Sequence, residues 1–107
     1  MKELHLDIES RSSVDLSKGG VYKYASSPDF DILLFGYAFD GNEVNVVDLA
    51  SGEMIPEDVL RALTDDQILK WAHNSSFERI SLSYWLRRNR PDLFAGGVNQ
   101  NYLDPVM

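Results

Sequence analysis

The chain contains no cysteine. Disulfides and thiolate metal sites are thereby excluded, and any metal must be held by oxygen or histidine ligands. Long hydrophobic runs are missing too: the longest, Ile32 to Phe39, is far too short to cross a bilayer. The N-terminus has no basic stretch followed by an apolar one, so it does not read as a secretory signal. These absences predict a soluble, cytoplasmic chain with no membrane partner. Basic residues are scarce and uneven. Seventeen acids against ten Lys and Arg give a net charge of −7, and Pro28 to Asp58 carries no Lys or Arg at all. Such a balance argues against nucleic-acid binding through a basic surface, since phosphates are contacted mainly by Lys and Arg. A divalent-metal enzyme escapes that objection, because its surplus carboxylates serve as ligands and the ions offset their charge.

What is present suits one globular domain. Of 107 residues, 44% are hydrophobic and 25% charged, and a chain of this size buries roughly 60–70% of its unfolded surface. One modest core is feasible without staples. "LHLDIES", Leu4 to Ser10, alternates Leu4, Leu6 and Ile8 with His5, Asp7 and Glu9, the pattern of a strand with two dissimilar faces. A long polar connection follows, Ser10 to Asp31, whose one apolar cluster is "GVYKYA". "DILLFGYAF" predicts a strand covered on both faces, "DGN" a hairpin turn, and "EVNVVDL" the return strand. Pro56, Glu57 and Asp58 open a helix through Leu63. "QILKWAH" reads as a fourth strand, and a second helix runs from near Asn74–Ser75 to before Pro91. The end, "NYLDPVM", is open to either a strand or a helix. The order β, β, β, α, β, α predicts an α/β layered domain with a mixed sheet: an antiparallel meander extended by strands joined through helices.

Three carboxylates are candidates for chemistry. Strand alternation aims Asp7 and Glu9 the same way, roughly 7 Å apart along the backbone, where flexible side chains can share a cation. A solvated polar face explains the same pair. Glu78 also has two readings. Ser75 and Glu78 fit S-x-x-E, a capping box in which the Glu side chain returns to the helix start. Alternatively Glu78 is an acid in a helix's first turn, aimed at the ends of neighbouring strands, where ligand sites in open α/β sheets lie.

"AHNSSFE" resembles the second motif of the DEDD-type 3′–5′ exonucleases, N-x-x-F followed by an acid, with Asn74, Phe77 and Glu78 at the marked positions. "LDIES" resembles the first, D-x-E, with Asp7 and Glu9. The two occur in order, and the intervening "GVYKYASSPDFDILLFGYAF" looks like the segment in exonuclease domains of phage- and prophage-type family A DNA polymerases. The resemblance implies a ribonuclease H-like, three-layer fold with the first strand at the centre of its sheet. It implies catalytic and metal-ligating roles for Asp7, Glu9 and Glu78, with two Mg2+ or Mn2+ ions in the complete domain. On this reading Asp7 bridges both ions, Glu9 helps hold the one that activates water, and Glu78 supports the second. The ions neutralise the phosphodiester and its leaving oxygen. The implied substrate is a single-stranded 3′ end of DNA, and the implied partner is a polymerase domain of the same longer chain. The family's third motif, a Tyr or His shortly before a final Asp, finds no match from Arg79 to Met107, and Asp104 lies too early and on the wrong element. Residues 1–107 are therefore expected to be the N-terminal part of one exonuclease domain, C-terminally truncated and inactive alone.

Other residues have plainer explanations. His73, beside the second motif, is read as structural, and His5 is expected to have no direct role. Asn74, Phe77, Tyr22 and Tyr24 are candidate substrate contacts, the aromatics by stacking on unpaired bases; packing accounts for Tyr22 and Tyr24 as well. Arg79, Arg87, Arg88 and Arg90 could meet phosphates or simply match the helix dipole. Trp71 and Trp85 are expected in the core. The rival functions are a stand-alone exoribonuclease of the same fold and a catalytically silent domain that binds a primer terminus or a partner. Retention of all three acids speaks against the silent domain.

Overall fold

The computed structural model describes residues 3–94 and 106–107. Four strands form one mixed sheet: β1 (Glu3–Arg11), β2 (Asp31–Phe39), β3 (Asn45–Asp48) and β4 (Leu69–Ala72). Three helices accompany them: α1 (Leu16–Ser26), α2 (Glu57–Thr64) and α3 (Ser75–Asn89). The sheet order is β3-β2-β1-β4, with β1 antiparallel to β2 and parallel to β4. Val106 pairs in parallel with Lys70, and Met107 exchanges backbone hydrogen bonds with Lys70 and Ala72. The chain end thus lies along β4. The end of "NYLDPVM" is extended there, while Asp104 falls outside the described residues. No helix among the described residues is long and apolar enough to cross a membrane.

The alternation of β1 decides the layering. Leu4, Leu6 and Ile8 are buried in a core shared with Val59 and Leu63 of α2 and Leu82 and Leu86 of α3. Phe35 and Val47 join them from β2 and β3. All three helices cover this face, so the described residues supply two layers. His5, Asp7 and Glu9 point the other way and are exposed. The β2–β3 hairpin turns as the sequence predicts: Asp40 and Gly41 have φ of 48° and 76°, the two positive values of a type I′ turn. Pro56 precedes α2 at its N-cap, and Glu57 and Asp58 stand in the first turn.

Three expectations need correction. The connection after β1 contains α1, capped by Asp15, whose side chain accepts the Ser17 N–H, and kinked where Gly20 takes φ 79°. β2 is not covered on both faces; Leu33, Leu34, Tyr37 and Phe39 are only partly buried. Trp71 is 37% exposed, whereas its neighbour Lys70 is fully buried. The Lys70 ammonium donates to the carbonyls of Asp65 (2.7 Å) and Ile68 (2.9 Å), which keeps it hydrogen-bonded inside. Strand alternation then puts Trp71 on the open face, stacked on the His5 ring with centroids 6.3 Å apart. Trp85 is packed against the core, as expected.

Candidate functional site

β4 stops at Ala72, opposite Leu6. Beyond that point this edge of β1 has no β4 residue beside it, and the link His73–Asn74 turns the chain into α3. The first turn of α3 carries Glu78 back to β1, where its carboxylate accepts the N–H of Ile8. Glu78 therefore fills the place that a longer β4 would take, satisfying a backbone donor that the sheet leaves over. The helix N-cap is Asn74 and makes no side-chain cap bond. Glu78 lies one position too far along for a capping box, and its side chain turns towards the sheet instead.

Glu78 is 4% exposed, and its Oε2 atom is buried without a hydrogen-bond partner among the described residues. Burial pushes its carboxyl up to about 7, and the negative charge of Asp7 adds to the rise, against the opposing hydrogen bond from Ile8. Two acids from distant parts of the sequence thus face each other electrostatically. Such a pair suits a proton or a hard cation, since an unpartnered carboxylate oxygen is costly to bury.

Asp7 and Glu9 leave the same face of β1 and are exposed. Asp7 sits opposite Gly36 of β2, whose lack of a side chain keeps the space above it open. A Cβ built there would lie 3.4 Å from the Asp7 carbonyl oxygen. A cavity of about 180 Å3 opens beside them, lined in part by His5, Ala38, Val44 and Val46. Gly36 was not singled out from the sequence, although a lone Gly inside a strand pattern signals close approach. Among the described residues, no three His, Asp or Glu side chains form a closed metal-holding group. The three acids come together as the pair Asp7–Glu78 with Glu9 one strand period further along.

The remaining candidates divide. Phe77 and Tyr24 meet, ring centroids 5.8 Å apart, and the Tyr24 hydroxyl is 3.1 Å from Ser10 Oγ at the end of β1. These contacts pack α1 onto α3 next to the acids. Tyr22 is 53% exposed and, two residues from Tyr24, projects from the opposite side of α1. Asn74 is exposed, and its carbonyl accepts the Glu78 N–H at 3.0 Å. His73 is exposed in the link. Most of the helix arginines are engaged: Arg88 donates to the carbonyls of Phe30 (2.7 Å) and Ser27 (3.0 Å), Arg90 holds Glu57 and Asp92, and Arg87 lies over the Tyr84 ring.

No protein-family model matches the chain. Its sequence is similar to a segment of the DNA polymerase of Bacillus phage SP02, 53% identical over 83 residues. That stretch is 78% of this chain, and it spans only 13% of the relative's length. The region is thus related to a part of a phage DNA polymerase.

Proposed function

We propose that this chain is the N-terminal part of a metal-dependent 3′–5′ exonuclease domain of a DNA polymerase, trimming single-stranded 3′ ends as in proofreading. The observation that carries the reading is the buried Glu78 carboxylate, with one oxygen unpartnered, facing Asp7 at the end of β4. The mixed sheet, with β1 inside it, is compatible with a ribonuclease H-like fold. Similarity to a phage DNA polymerase supports DNA as the substrate and a polymerase domain in the same longer chain.

Asp7, Glu9 and Glu78 would hold the divalent ions, Mg2+ or Mn2+; their hard oxygen donors fit either. When bound, such ions supply charge neutralisation at the phosphodiester and lower the pKa of a water. The chain's own part is to position and to expose. Ile8 fixes one oxygen of Glu78 and leaves the other for a cation. Gly36 keeps Asp7 reachable. Phe77, beside the acids, offers aromatic surface to unpaired bases, and Asn74 a polar contact at the helix start.

The test is a manganese titration followed by line broadening of backbone NMR signals, with Asp7→Ala as control. Broadening centred on Asp7, Glu9 and Glu78 and lost in the control is the expected result. A folded sample with no localised broadening, together with a C-terminally extended chain that leaves single-stranded 3′ ends intact, overturns the proposal.

A further inference from the structure

We infer that Arg11 is the phosphate contact of this site, gripping a phosphodiester of the single-stranded substrate as it leaves the acids. The inference rests on the nuclease reading above and deepens it. The irregularity in the β1–β2 pairing falls on β2, where Leu33 is skipped, so β1 keeps its alternation to the end. His5, Asp7, Glu9 and Arg11 therefore line one face in a row, and Arg11 lies roughly 13 Å beyond Asp7 by strand rise.

The charge arrangement favours a cation there. Asp7, Glu9 and Glu78 concentrate negative charge on a chain whose net charge is already −7, and the substrate is a polyanion. Arg61, Arg88 and Arg90 are spent on Glu57, on backbone carbonyls and on Glu57 with Asp92. Arg11 is exposed, and among the described residues no hydrogen bond or ion pair engages its guanidinium. It opens onto a cavity of about 360 Å3 that it shares with Ser12, Ser13 and Asp29. Among the described residues, Asp29 is the one anion lining it. Its carboxylate is taken up by the Ser27 hydroxyl and by the Ser13 N–H, at 3.1 and 3.2 Å for its two oxygens, which hold it below the usual carboxylate range. The guanidinium fork is thus left to an incoming phosphate, which it can meet through two parallel N–H donors.

The experiment compares wild type, Arg11→Ala, Arg11→Lys and Asp7→Ala in the full-length protein. Single-stranded oligonucleotide binding is measured against salt, alongside exonuclease kinetics. Arg11→Ala should weaken binding about fivefold to tenfold regardless of sequence, raise KM with kcat nearly unchanged, and flatten the log K against log salt slope by about 0.7. Arg11→Lys should restore the slope but only part of the affinity. A single neutral methylphosphonate near the 3′ end should weaken wild type and leave Arg11→Ala indifferent. If wild type trims DNA and Asp7→Ala does not, while Arg11→Ala keeps the wild-type slope and KM, the Arg11 inference fails and the nuclease reading stands. If wild type neither trims nor binds single strands, both fall.

Discussion

Replacing Glu78 by Gln should abolish a loss of stability that the wild-type protein suffers as pH rises through a narrow window. Burial and the Asp7 charge raise the Glu78 carboxyl from its ordinary 4.5 to about 7. The folded protein therefore binds a proton there that the unfolded chain releases, and stability falls as pH rises from about 4.5 to about 7. This is the reverse of an acid held by a salt bridge. At about 1.4 kcal/mol per pH unit the loss amounts to on the order of 3 kcal/mol, a large part of the stability of a domain this size. Glu78→Gln keeps the shape and an acceptor for the Ile8 N–H, and it offers an amide N–H towards Asp7, with nothing left to ionise. Urea unfolding of both proteins from pH 4.5 to 8 should show near-equal stabilities at the acid end. The variant should then stay nearly level while the wild type falls, and lead by about 2–3 kcal/mol at pH 7.5. Asp15, Asp29, Glu57 and Asp92, held below the usual range by hydrogen bonds, act in both proteins and cancel in the difference. Added Mg2+ should reduce the wild-type loss and leave the variant unmoved. Parallel stability curves would refute the reasoning, because they would mean that the Glu78 carboxylate is solvated.

Phe35, fully buried between the sheet and the helices, should cost about 3–5 kcal/mol on truncation to Ala, read as a lower urea midpoint with an unchanged m-value. Gly36→Val should cost less than about 1.5 kcal/mol, since a Cβ meets ordinary contact distances there. The added methyls would crowd Asp7, so manganese broadening should weaken several-fold; undiminished broadening would show that the space above Asp7 is irrelevant.

How much of this was legible depends on which force set each element. β1 was, because one face of it meets the core and the other does not, and the alternation records that directly. The type I′ hairpin was, since Asp-Gly is the pair that tolerates two positive φ values. α1 was not: a Gly pair and few apolar positions hide a helix that is held by its Asp15 cap and by Tyr24 on Phe77. Trp71 misled because the strand buries its neighbour Lys70 instead, whose ammonium is satisfied by the nearby carbonyls of Asp65 and Ile68. Asp7 and Glu78 could be named from short motifs. Their mutual approach and the Ile8 bond needed the stop of β4, which no local pattern encodes. Gly36 became visible only once its partner across the strands was known.

The early end of β4 has a further consequence, for how the gene can vary. His73 and Asn74 are the whole bridge between strand and helix. A residue added there would change where α3 starts relative to the end of β4 and move Glu78 off the Ile8 N–H, so this junction should refuse insertions and deletions. The hairpin tip at Asp40–Gly41, remote from the acids along β2, should accept extra residues at little cost. The carboxylate pair is thus fixed by the length of a connector more than by the identity of the connector's residues.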